Sequence, residues 1–148
     1  MPQTDFEKAE KLTARRARMA TILGIVFITT QAASLQVDGD LSRPEMITLK
    51  AWIVWAVAML MLLMTGGGLL RGARVRALMN DEGTRAHRQQ AVALGFWIAI
   101  VTALVIYVVT FWEVVDARQA ARIIVTTALG GALIRFGLLE RRSLRDGR

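Results

Sequence analysis

The chain has 148 residues, of which 54% are hydrophobic, and its 19 Lys plus Arg against 12 Asp plus Glu leave a net charge of +7 with no cysteine. The absence of Cys excludes a disulfide framework, a thiolate nucleophile, cysteine-ligated zinc and iron–sulfur sites. A basic balance in a soluble protein points to nucleic acid. Here the apolar and charged residues alternate in long blocks, so the charge reads as a membrane-topology signal and direct nucleic-acid binding is not expected.

A hydrocarbon core ~30 Å thick takes about 20 apolar residues of helix to cross. Four blocks approach that length, at about 19–37, 47–70, 91–112 and 119–139. The spacing predicts one integral membrane domain over 1–148, all-α, a four-transmembrane-helix bundle. Barrel strands of about ten residues do not fit blocks of this length.

The first helix is expected to start near Thr4, which with Glu7 has the S/T-x-x-E spacing of a capping box, and to run as one rod into the first span. That span exceeds the 7–15 apolar residues usual in a cleaved signal, so it reads as retained. Gly24 and Gln31, seven apart, share a face expected to turn inward, where the amide can bond another helix. Ser42 and Glu45 repeat the capping spacing, and Pro44 falls in the first turn of the second helix. The third block, Ala91 to Trp112, has no charge, and Ala91, Gly95, Ala99 and Ala103 form a small-residue stripe suited to close helix packing. In the fourth, Gly130 and Gly137 offer a similar face. The stripes fit packing within one bundle or the seam of a homodimer.

Fifteen basic residues fall before the first span, between the second and third, and from Arg135 near the inner end of the fourth onward. Only Arg43, Lys50, Arg118 and Arg122 fall on the other side. By the positive-inside rule both termini are cytoplasmic, N-in and C-in, which an even number of spans requires. The inner face carries net +8 and the outer face −1. Trp52, Trp55 and Trp112 sit where an outer aromatic belt is expected and are read as lipid anchors. Arg135, near the inner end of the fourth block, is read as a snorkelling anchor reaching Glu140 or a lipid phosphate.

Chemistry-bearing groups are sparse. His87 is the only histidine and has no neighbouring ligand, so it reads as a solvated side chain. Glu113 and Asp116, three apart, would share a helical face, but nearby Arg118 and Arg122 argue against a metal. No nucleophile–base pair or phosphate loop is present. The expectation is no enzymatic activity and no cofactor.

The segment 71–90 is read as a cytoplasmic helical hairpin turning at Met79 to Gly83, projecting roughly 15 Å at 1.5 Å per residue. In it, Asp81 and Glu82 define the turn while Arg74, Arg76, Arg85 and Arg88 present charge to an acidic partner or anionic lipid. Asp81, Glu82, Thr84, Arg85, Arg88 and Ala91, running straight into a span, resemble a pattern in small four-span bacterial membrane proteins of the DUF2178-like kind. Gly83 stands where those relatives tend to carry another charged residue. The resemblance implies a companion of a small helix-turn-helix regulator, sequestering it or signalling at the membrane.

The reading that follows is a non-enzymatic regulatory or accessory subunit that binds a cytoplasmic partner through its basic hairpin. Two alternatives stand beside it. One is a small-solute transporter or channel working as a homo-oligomer, with Gln31 and Arg135 lining a path; the other is a structural subunit of a larger membrane complex. Sixteen Arg against three Lys suggest a GC-rich bacterial source and hence an inner-membrane location.

Overall fold

A computed structural model describes residues 5–35, 44–65 and 82–146. They form four α-helices: α1 (Asp5–Leu35), α2 (Pro44–Thr65), α3 (Glu82–Val109) and α4 (Ala117–Asp146). No strand occurs among the described residues. The 31 residues of α1 make a rod about 46 Å long. Pro44 opens α2, where its missing N–H costs nothing.

The bundle is built around α4, which packs extensively on α1 and α3 and lightly on α2. Residues rising along α1 meet residues falling along α4: Gln31 bonds Arg122, Gly24 lies against Gly130, and Arg16 pairs with Glu140. The two helices are therefore antiparallel. The same register relates α3 to α4, with Thr102 beside Thr127, Gly95 against Ala128 and Ala132, and His87 near Glu140. Arg88 of α3 donates from Nη1 to the carbonyl of Met64 at 2.5 Å, bringing the end of α2 to the start of α3.

Small residues explain why α4 is central. Gly130 and Gly137 face α1 while Gly131 faces α3, so backbones approach on two sides. Phe27, Leu133 and Phe136 are the largest fully buried side chains, lying in a core with Ala20, Met59, Leu63, Ala91 and Ala132. The predicted stripe on α3 is half used: Ala91 and Gly95 are buried, whereas Ala103 is exposed. Gly130 and Gly137 pack within the chain.

Exposure is distributed accordingly. Among large apolar side chains α4 exposes only Leu138, while α3 exposes a run that includes Phe96, Trp97, Val101, Leu104, Val105 and Tyr107. Two helices are long and apolar enough to cross a membrane, Gly83–Val109 and Ala117–Arg145; Lys50–Thr65 is apolar but shorter. The apolar stretch of the first is 6% buried, which is not how the core helix of a water-soluble bundle behaves.

The loop after α3 departs from expectation. Helix α3 ends at Val109, and turn bonds from Phe111 N to Val108 O and from Trp112 N to Val109 O carry the chain around. Glu113 and Asp116 consequently share no helical face. Asp116 instead caps α4: its carboxylate accepts from the Arg118 N–H at 3.0 Å, and its carbonyl accepts from the Ala120 N–H at 2.9 Å.

Candidate functional site

The most unusual chemistry lies where the first half of α1 and the start of α3 meet the end of α4. Arg16 Nη2 lies 2.7 Å from Glu140 Oε2, with side chains only 8% and 2% exposed. Arg16 Nη2 also donates to Thr84 Oγ1 at 3.3 Å, and its guanidinium carbon lies 5.5 Å from the centre of the Phe136 ring. Three helices are thus joined through one guanidinium, with the ring beneath it supplying a favourable π face.

Helical register puts these groups together. On α1, Arg16, Ala20, Gly24, Phe27 and Gln31 recur at spacings of three or four and follow one face. Arg122, Thr126, Gly130, Leu133, Gly137 and Glu140 do the same on α4, and Thr84, His87, Ala91, Gly95, Ile98 and Thr102 on α3. Each stripe is apolar or small in its middle and ionisable or polar at its ends. The cluster is the terminal layer of the helix–helix interfaces.

Burial makes this layer energetically exacting. Ions leaving water pay several kcal/mol each, and an ion pair offsets that only when the remaining polar atoms are satisfied. Both Glu140 carboxylate oxygens are buried and neither receives a well-aligned hydrogen bond; Oε1 instead faces His87 Nδ1 across 3.9 Å. His87 Nδ1 is also buried without a hydrogen-bond partner, although the His87 side chain as a whole is 21% exposed.

Two sequence readings are corrected here. Glu140 is held by Arg16, so it is not the partner anticipated for Arg135, which is half-buried one turn and more away along α4. His87 is no freely solvated side chain, for it sits on the α3 face that packs on α4.

The hairpin residues divide. Arg74, Arg76 and Asp81 lie outside the described residues, and Glu82 begins α3. Arg85 is exposed on the first turns of α3, whereas Arg88 is half-buried and bonds Met64, which favours a cation at a helix C-terminus. Of the proposed belt residues, Trp112 is 77% exposed and Trp55 lies open on α2. Trp52 packs against the core, with its indole Nε1 buried and unpaired.

At the opposite end Arg122 Nε donates to Gln31 Oε1 at 2.9 Å. Beside this bridge is a half-open pocket of about 80 Å3, walled mainly by apolar atoms of Ile28, Ala32 and Ile123. Arg135 is thirteen residues from Arg122 along the helix, or about 20 Å, so Gln31 and Arg135 do not share a path. Replacing Gln31 with leucine is expected to lower stability by about 0.5–1.5 kcal/mol, measured by equilibrium unfolding in detergent. The effect is modest because neither side chain depends on this bond alone.

The fold and its burial define an all-α helical bundle with two helices able to cross a membrane. Comparison with protein families, characterised proteins and solved structures gives no match.

Proposed function

We propose that the chain is a multi-pass bacterial inner-membrane protein with four spans and both termini cytoplasmic, acting as a non-enzymatic regulatory or accessory subunit. Membrane integration is supported by large apolar side chains left in the open on α1, α2 and α3, among them Ile22, Ile25, Val54, Val57, Phe96 and Leu104. The positive-inside count supplies the orientation.

The observation that carries the regulatory reading is the anchored base of the second hairpin arm. Thr84 and His87 are fixed at the junction of three helices, while Arg85, between them, points its charge away from the bundle and is exposed. A rigid base with an exposed cationic face suits recognition of an acidic protein surface. The resemblance around Met79 to Gly95 suggests a small transcriptional regulator as that partner. The channel alternative is less well supported, because Gln31 and Arg135 stand apart and the pocket beside Gln31 is nearly all apolar.

Charge reversal at Arg85 is the direct test, since it leaves the Arg88–Met64 bond in place. Arg85→Glu is expected to reduce recovery of the co-purifying partner at least about tenfold while the protein still inserts. Full retention of every partner would reject the hairpin as the binding surface.

Orientation has its own measurement. The chain has no cysteine, so single cysteines introduced at Gly83, Glu113 and Ser143 report accessibility without background. Glu113→Cys is expected to label from outside, and Gly83→Cys and Ser143→Cys only from within. Any other pattern overturns the four-span, N-in/C-in arrangement.

A further inference from the structure

We propose that the pocket beside Gln31 and Arg122 binds one glycerophospholipid, with the phosphate at the Arg122 guanidinium, an ester carbonyl at the Thr126 hydroxyl and one acyl chain entering between α1 and α4. The pocket walls come from α1 and α4 alone, and Arg122 is the one charged residue in them. The inference rests on the reading of both helices as membrane spans.

Thr126 supplies an unmatched hydroxyl. Thr21, Thr29, Thr30, Thr65 and Thr127 each donate to the carbonyl four residues back along their own helix. Thr126, in the pocket wall, is only 5% exposed, and its Oγ1 is buried without a hydrogen-bond partner. A buried hydroxyl left in that state is unfavourable, and a ligand that offers an oxygen acceptor beside it removes the penalty.

The order of groups with depth names the ligand. Arg122 lies five residues after the first residue of α4, and Gln31 four before the last of α1, so their bridge sits near one end of the bundle. Thr126 is one turn deeper on α4, about 6 Å, and Ile28 is three residues deeper on α1. Cation, hydroxyl and hydrocarbon therefore follow one another inward. A glycerophospholipid presents phosphate, ester carbonyl and acyl chain in the same order. Guanidinium and phosphate make strong charge-assisted bonds, and the bond to Gln31, made by Nε, leaves the charge of Arg122 in place. A volume of about 80 Å3 takes only the first few methylenes of the chain. Ile25, three residues beyond Ile28 and exposed, continues the apolar edge of α1 for the remainder.

The test is native mass spectrometry of the full chain in detergent, titrated with dioleoylphosphatidylglycerol and, separately, with dioleoylglycerol, which has the same ester carbonyls and chains but no phosphate. Wild type is expected to bind one phospholipid at least about tenfold more tightly than the diacylglycerol. Arg122→Gln is expected to remove that preference and to leave the diacylglycerol affinity unchanged. Thr126→Val, which deletes the hydroxyl at nearly constant shape, is expected to weaken both about two- to tenfold. Ala32→Phe, at the exposed rim, is expected to weaken both by filling the pocket. Equal wild-type affinities for the two lipids, or a loss in Arg122→Gln that falls on both alike, overturns the proposal, as does unchanged binding in Thr126→Val or Ala32→Phe. If Arg122→Gln does not fold, the two wild-type affinities together with Ala32→Phe decide. No phospholipid preference, with cysteine labelling as expected above, rejects the site alone. A different labelling pattern with the preference intact retains the site and rejects the four-span orientation.

Discussion

Arg16→Met is expected to destabilise the bundle by about 3–5 kcal/mol, because it strands the Glu140 carboxylate at a buried site. Glu140→Leu removes the opposite charge but leaves Arg16 its Thr84 hydroxyl and the Phe136 ring, so it should cost less. The double variant Arg16→Met/Glu140→Leu is expected to recover most of the loss and to approach or exceed the parent in stability, since neither desolvation penalty then remains. Equilibrium unfolding in detergent gives all three values, and the double-mutant cycle isolates the coupling between the two sites. Additive losses would mean that the 2.7 Å contact contributes little and that each side chain acts through packing alone. Recovery would imply that the pair is retained for what it specifies. It fixes the register of three helix ends and places His87 and Thr84 beside one carboxylate, and an apolar layer there would tolerate sliding.

The helical architecture was legible because long apolar blocks and capping residues act locally. Thr4 with Glu7 and Ser42 with Glu45 anticipate helices that begin at Asp5 and Pro44. The inward face carrying Gly24 and Gln31 was legible for the same reason. The buried charge cluster was not, because Arg16 and Glu140 are 124 residues apart and each reads locally as one more basic or acidic residue beside a span. A signal was present in the register. Counting back from Gln31 and Gly24 by threes and fours reaches Ala20 and then Arg16, and counting on from Gly130 and Gly137 reaches Glu140. A charge that prolongs a buried stripe is a candidate for burial, whatever its use in a topology count. His87 follows the same rule, four residues before Ala91 and eight before Gly95. The end of α3 was misplaced because Thr110 to Trp112 are apolar enough to extend a span, and only the turn bonds show the chain leaving the helix.

Glycines on the same stripes give the second large expected effect, and they separate two kinds of small-residue contact. A Cβ at Gly137 would meet the Thr21 hydroxyl and would stand 2.6 Å from the Ala17 carbonyl oxygen and 3.0 Å from the Thr21 backbone nitrogen. Two of those neighbours are backbone of α1, which cannot yield without moving the helix. The Thr21 hydroxyl is itself tied to the Ala17 carbonyl at 3.1 Å, so rotating it away breaks a bond. Gly137→Ala is therefore expected to push α1 from α4 and to cost about 1–3 kcal/mol, despite the gain of up to about 1 kcal/mol in helix propensity. At Gly131 the added carbon would meet only side-chain atoms of Ile98, chiefly its terminal Cδ1, which a rotamer change can move. Gly131→Ala is expected to be near neutral. Parallel unfolding measurements check the contrast. Because Gly137 lies less than one turn from Glu140, separating α1 from α4 there should also loosen the Arg16–Glu140 layer. Gly137→Ala combined with Arg16→Met should then cost less than the sum of the two. Strict additivity would place the glycine contact and the charge cluster in independent parts of the interface.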